Sequence, residues 1–480
     1  MVRGGAGFYY GPSTHMVAGA GQDSDGFSTS TLWNATCFNA DGNTVYNGTS
    51  ACVGAAPGSP APSPTVPYSL SNPFPNGVVQ VLSNPSGLAN NLGNSLSTVL
   101  RSQRTPTTYN FNFGLEYEFP HSTVLSMGYV GSRGLFLPFG GVDLNQLDLG
   151  TIQRYGYSLC VDTSNPACKM APNKWAAILP STNGLFGATT VPLWDAVQPY
   201  PQFGDGSYGA GNGVNVHGYP AGDSDYSSLQ TKLQKRLTQH FTALASFTWG
   251  KLITDDGNPP LGFVGAHLGG AQDWKNLNFE HSVSPQDIKY QFSGEASYDL
   301  PVGKGRGLKL NGVGDAILGG WTANGILYLS SGIPIASPTV GANVSYFNQR
   351  PNLACDPGKG AAHKPGSFDS SGNFIPGSGW FNSTCFVAPA SPFVAGTAPA
   401  YLDHVRSMGA DDVDLSIYKK FSLGEQRELR FDVSSYNVAN RAQFGGPNVS
   451  STATGYPDFG WIQGTVNSPR QFQFGARFSF

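Results

Sequence analysis

The amino-acid sequence predicts an all-β fold, an antiparallel transmembrane β-barrel sheet of about eleven strands. Three observations predict it. Apolar and polar residues alternate with period two over long segments, the pattern of strands with two unlike faces. Short and long connections alternate along the chain, as they do in outer-membrane barrels. Charged residues make up only 12 % of the 480 residues and aromatics another 12 %, with 63 Gly and 35 Pro; the usual charged share is about 25 %.

The clearest strand is 109–119, YNFNFGLEYEF, with Tyr109, Phe111, Phe113, Leu115, Tyr117 and Phe119 on one parity and Asn110, Asn112, Glu116 and Glu118 on the other. Residues 287–300 repeat the design, and so does the end of the chain, RQFQFGARFSF. Weaker alternation places further strands near 2–10, 27–33, 123–131, 226–237, 241–251, 320–330, 411–421 and 427–437. Several reach the nine to eleven residues that a tilted strand needs to cross a bilayer. The connections 120–122, 238–240 and 422–426 are short, while 34–108, 134–225, 252–286, 331–410 and 438–469 are long and rich in Gly, Pro, Ser and Asn. On the polar parity, Glu116, Glu118, Asp287, Lys289, Glu295, Asp299, Arg430, Asp432 and Arg477 are expected to face the lumen.

The six cysteines fall as two in each of three long loops: Cys37 and Cys52, Cys160 and Cys168, Cys355 and Cys385. Local pairs in loops point to three disulfides made in an oxidising compartment. Zinc binding is the weaker alternative, since no C-x-x-C or Cys/His cluster has the spacing for it. Free buried thiols are the other, and they would sit in strands.

Catalytic motifs are missing: there is no H-E-x-x-H, no G-x-S-x-G and no phosphate-binding loop. No catalytic residue, cofactor or metal ligand is therefore expected, and the chain is not read as an enzyme. Gly303-Lys304-Gly305-Arg306-Gly307 reads as a turn between strands. A net charge of −3 gives no electrostatic case for nucleic acid. Binding is the activity the loops suit. Trp175, Trp194, Tyr208, Trp274, Trp380 and Tyr401 lie among Asn, Asp and Gly and are candidate ligand contacts. The competing reading is that these rings pack the loops against one another.

A set of phrases then carries a resemblance. They are RGGAGFYYG (3–11), LSNPFPNG (70–77), GYVGSRGLFL (128–137), the hairpin YSSLQTKLQKRLTQHFTALASFTWGK (226–251), YDLPVGKGR (298–306), GWTANGILYLSSGIPI (320–335), YNVANRAQFGGPN (436–448) and SPRQFQFGARFSF (468–480). In this order they resemble the C-terminal part of the barrel of Oar-like TonB-dependent transporters, over nearly the whole chain. The resemblance implies a 22-stranded outer-membrane barrel, of which eleven strands are half. It implies uptake of a large or scarce nutrient (siderophore, oligosaccharide or peptide) with energy from the inner membrane. Family members begin with a signal peptide, a carboxypeptidase-regulatory-like domain and a plug that contacts the TonB complex.

On that resemblance, residues 1–480 are expected to be one partial barrel domain of a longer or truncated gene product. Its partners would be outer-membrane lipid, the barrel-assembly machinery, the TonB complex through the missing plug, and an unidentified ligand. With 27–33 counted as a strand, the first and last strands are expected to run the same way. The sheet would then stay open and would not insert alone as a stable barrel. Phe480, with Phe478, is expected to be the signal read by the assembly machinery. A β-rich adhesin or carbohydrate-binding protein, secreted or surface-anchored, is the alternative, and a porin without a plug is a third. A soluble sandwich would bury Phe111, Phe113, Phe292, Ala296, Phe474 and Phe478 between two sheets; a barrel would leave them uncovered.

Overall fold

The strands that the alternation marks pair in sequence order into one sheet. The structure, a computed structural model, describes residues 1–11, 36–38, 44–46, 92–98, 104–139, 142–160, 164–179, 185–203, 213–216, 219–238, 240–255, 271–304, 306–340, 349–424, 427–449 and 459–480. The main sheet holds 11 strands. They are β1 (Val2–Tyr10), β2 (Thr107–Phe119), β3 (Thr123–Phe139), β4 (Tyr219–Thr238), β5 (Phe241–Thr254), β6 (Ser282–Val283), β7 (Tyr290–Asp299), β8 (Trp321–Ser330), β9 (Asp411–Ser422), β10 (Glu428–Tyr436) and β11 (Gln471–Ser479). Ten lie side by side in chain order, and the short β6 pairs only with the end of β5. Every pairing in this sheet is antiparallel.

Register shows why the period-two pattern matters. Phe113, Tyr129, Leu229, Trp249 and Tyr290 are successive partners across five strands. Directly opposed residues point to one side of an antiparallel sheet, so these five form a lateral belt. Its members are exposed or half-buried. Of the six marker residues, Phe292 is half-buried and the other five are exposed, Phe474 by 77 %. Among the described residues no second sheet covers this face, the arrangement of a barrel and not of a sandwich. The opposite face is polar. The row Glu116, Ser126, Lys232, Ser246 and Ser293 crosses the same strands, with Ser246 and Ser293 hydroxyls 2.7 Å apart.

The expected strand 27–33 lies outside the described residues, and the eleven strands of the described sheet include the short β6. Other expectations are corrected. β1 pairs directly with β2 along its whole length. Ten strands in antiparallel succession send β1 and β11 in opposite senses, so the parallel first and last strands expected above do not occur. Both carry one edge with no strand partner among the described residues. β3 and β4 extend beyond their expected ends because Leu137, Pro138 and Phe139 pair with Tyr219–Gly222 across register shifts. Asp287 is not a strand residue; β7 begins at Tyr290, and Asp287 is buried at the loop junction.

The connections at one end are 120–122, 239–240, 300–320 and 423–427; those at the other are 11–106, 140–218, 255–289, 331–410 and 437–470. The hydrophobic core sits among the long connections. Clusters form around Ile152, Leu159 and Trp194, around Phe381, Phe386 and Leu402, and around Phe139, Val142 and Val216. Two of the expected disulfides, Cys160–Cys168 and Cys355–Cys385, are formed there. Cys37 falls in the short strand Thr36–Phe38, and its expected partner Cys52 lies outside the described residues.

Phe113→Arg, at the middle of β2, is expected to destabilise the membrane-inserted protein by about 2–4 kcal/mol. Asn112→Arg, one residue away on the polar face, is expected to cost less than about 1 kcal/mol. Urea unfolding from lipid vesicles measures both, and equal costs would contradict the assigned facing.

Candidate functional site

The described parts of the long connections pack into a cap, and a buried polar knot joins three of them. Glu280 and Arg350 are each 1 % exposed at the side chain, with Arg350 Nη1 donating to Glu280 Oε2 at 2.8 Å. The other Glu280 oxygen accepts from the Gln272 backbone N–H at 2.8 Å. Gln272 Oε1 accepts from the backbone N–H groups of Arg350 and Gly396 at 2.9 and 3.0 Å. Arg350 Nε and Nη2 donate to the carbonyls of Ala398 and Phe279 at 3.0 and 2.5 Å. Gln146 reaches the Gln272 carbonyl from the loop between β3 and β4. Charges this deep are tolerated only when paired and hydrogen-bonded, and here every side-chain nitrogen of Arg350 and both carboxylate oxygens of Glu280 have a partner.

A second network fastens the cap to the strands. Asp287 accepts from the Leu252 backbone N–H at 2.5 Å and from Arg406 Nη2 at 2.6 Å. Arg406 also meets Asp403 at 3.2 Å, and Asp403 meets Lys251 of β5 at 2.8 Å. Burial acts to raise the Asp403 pKa, but Lys251 and Arg406 together hold it below the usual carboxylate range. Beside this network lies a cleft of about 610 Å³ lined by Lys251, His281, Cys355, Tyr401, Asp403 and His404, among others. That volume suits a small ligand. Among the described residues, no group of three or more His, Cys, Asp or Glu side chains is arranged to hold a metal ion.

The aromatic candidates do not converge on one surface. Trp194 is 4 % exposed in the cluster with Ile152 and Leu159. Trp274 is half-buried and donates its indole N–H to the Asp143 carbonyl at 2.9 Å. Trp380 is half-buried and donates likewise to the Arg406 carbonyl at 2.7 Å. Tyr401 lines the cleft yet is buried. Trp175 is half-buried in the loop between β3 and β4, and Tyr208 lies outside the described residues. Phe480 and Phe478 are exposed, at the end of the outward parity of β11. Sequence reasoning passed over Gln272, Glu280 and Arg350, because isolated polar residues in loops carry no periodic signal.

A family model described as "Outer membrane beta barrel domain" matches residues 1–473. No curated protein matches. Among solved structures, the chain is similar to the outer membrane transporter YddB from Escherichia coli, with 9 % identity, a TM-score of 0.38, and coverage of 80 % of this chain and 34 % of that one. It is also similar to the ferric-catecholate import receptor Fiu from Escherichia coli, with 10 % identity, a TM-score of 0.32, and coverage of 82 % and 31 %. The pyoverdine outer membrane receptor FpvA from Pseudomonas aeruginosa shares 11 % identity at a TM-score of 0.33, over 79 % of this chain and 30 % of its own. The chain thus spans about a third of the length of these solved chains.

Arg350→Ala leaves the Glu280 carboxylate buried without its partner, at a cost of about 3–5 kcal/mol. Protease cleavage follows the population of the opened form, so trypsin cutting within 271–289 and 349–410 is expected to rise by at least about a hundredfold. Unchanged cutting would contradict the knot.

Burial pushes the Asp195 carboxyl up to about 6 from an ordinary 3.8. A raised folded-state value means the folded cap holds the proton more tightly than the unfolded chain. The contribution to stability is therefore full below about pH 4 and is lost as pH rises through about 6. Asp195→Asn is expected to stabilise the cap at pH 7.5 by about 2–3 kcal/mol and to change little at pH 4. Hydrogen exchange of residues 191–198 at the two pH values checks this.

Proposed function

The chain belongs to the outer membrane β-barrel domain family, is localised to the outer membrane, and on that premise we propose that it forms the C-terminal barrel portion of a TonB-dependent transporter. It takes up a large or scarce nutrient (siderophore, oligosaccharide or peptide) with energy delivered from the inner membrane. The observation that carries this reading is the joining of a barrel sheet to a folded cap. A simple diffusion pore has no need of three loops knotted through a buried ion pair, whereas a receptor that selects its ligand before transport does. The polar face of the strands supports it as the wall of a lumen that a plug would fill. The phrases shared with Oar-like transporters support the same subtype and a plug supplied by a longer protein. In this reading the activity is binding and transport rather than catalysis.

The cleft at the seam of cap and sheet, lined among others by Tyr401, Asp403, His404, Lys251 and His281, is the proposed ligand contact. Trp175 is a further candidate on the same reading. Phe480 and Phe478 are proposed as the segment that the barrel-assembly machinery reads, since a terminal aromatic strand with an exposed outward face is what such a step would grasp.

Energised uptake separates this reading from a porin and from an adhesin. Cells carrying the intact gene and cells lacking it are offered a panel of labelled ferric siderophores, oligosaccharides and peptides, with and without an uncoupler of the inner membrane. The expected result is saturable, gene-dependent accumulation of one class that the uncoupler abolishes. Accumulation indifferent to the uncoupler would identify a porin. Gene-dependent binding without accumulation would identify an adhesin, and either outcome contradicts the proposal.

A further inference from the structure

The connection between β7 and β8, at the short-turn end of the sheet, carries a helix, α1 (Val313–Leu318). Its apolar side chains are exposed. Val313 is 75 %, Ile317 61 % and Leu318 60 % exposed, and Leu308 beside them is 63 % exposed. Scattered single apolar residues are ordinary, but four within eleven positions form a patch. Two strand residues hold the helix in place. Trp321 donates its indole N–H to the Ile317 carbonyl at 2.8 Å. Lys419 Nζ donates to the carbonyls of Asp315 and Ala316 at 3.1 and 2.6 Å. These lie in the last turn of the helix, where carbonyls run short of backbone partners; the Asp315 carbonyl also accepts from the Gly319 backbone N–H at 3.0 Å.

Trp321 and Lys419 are direct partners in register, and Lys419 is opposite Phe431 on its other side. They therefore stand on the outward, apolar face of the sheet and not on the lumen face. A lysine on that face is costly in lipid, and Lys419 is only 5 % exposed because the helix end covers it. On the lumen side, Arg306 and Thr322 both meet Asp299, at 3.5 and 2.7 Å, and fix the base of the same connection. The connection is thus pinned on both sides of the sheet wall. Its helix is set against the outside, where the lipid-facing surface ends.

We infer that α1, with Leu308, is a membrane-interface foot. It seats in the headgroup–acyl boundary of the leaflet at the short-turn end, which in outer-membrane barrels is the periplasmic leaflet. The occupant is phospholipid, because the patch is continuous with the outward face through Trp321 and Lys419. An amphipathic helix lying in the interface buries its apolar side by several ångströms, and Trp is favoured at that depth. Exposed Lys304 and Lys309 on the same connection supply the cations that phosphate headgroups attract. The foot follows from the barrel's placement in a membrane and stands whether or not the barrel is an energised transporter.

The test uses the full-length protein in nanodiscs of phosphatidylethanolamine and phosphatidylglycerol. Val313→Cys and Ile317→Cys are labelled with an environment-sensitive fluorophore, with Arg427→Cys in the neighbouring turn as the aqueous reference. The expected result is quenching of both helix sites by nitroxide placed high on the lipid acyl chain, and iodide quenching at least about five-fold weaker than at the reference. Iodide quenching equal to that at position 427 would overturn the inference. Protection from both quenchers would also overturn it, by showing a protein surface over the patch.

Discussion

The ion pair between Glu280 and Arg350 is the contact on which the outer end of this molecule depends. Three connections, 140–218, 255–289 and 331–410, must be ordered against one another, and ordering costs roughly 1–2 kcal/mol for each residue's backbone. Their apolar clusters are small and separate. The knot gives those clusters a common frame: Gln146, Gln272 and the pair Arg350 and Gly396 come from three different loops and meet within hydrogen-bond distance. A buried pair gains little over an apolar filling, but breaking it is expensive. It therefore selects one arrangement of the loops more than it deepens the overall stability.

The rest of the chain inverts the usual distribution of apolar residues. The strands display Phe113, Phe474 and Phe478 outward, because the bilayer, not a second sheet, is their apolar surrounding. The cap faces water and must bury its own apolar groups, so Ile152, Phe381 and Val216 lie inside it. One chain thus obeys two solvents, and the boundary between them runs through the network of Lys251, Asp403, Arg406 and Asp287. The disulfides belong to the cap side. Cys355–Cys385 closes a long excursion within 331–410, worth about 3–4 kcal/mol in the chain-entropy picture.

The strands were legible in the sequence because a two-residue period is local and the membrane enforces it on every strand. Residues 109–119 showed it without interruption, and their structure follows it side chain by side chain. The direction of the first strand was misread, since it depended on counting 27–33 as a neighbour that β1 does not have on its β2 side. Asp287 shows a different limit. Its parity fits a lumen-facing strand residue, but the strand starts three residues later and Asp287 turns to Arg406. The cap was the least legible part. Trp194 looked like a ligand contact and is buried among other loop residues, because an aromatic residue in a polar loop has the same sequence surroundings whether it meets a ligand or another loop. The knot left no trace at all, since Gln272 and Arg350 are 78 residues apart and only the folded loops bring them together.

Native-state hydrogen exchange of the full protein in lipid tests the central claim, that the three connections form one cooperative cap tied at Glu280 and Arg350. Amides at Gln272, Arg350 and Gly396 donate within the knot. The account predicts that they exchange with one shared opening free energy, well above that of the exposed turn 369–373. Independent exchange of the three, each at the rate of an exposed loop, would contradict it.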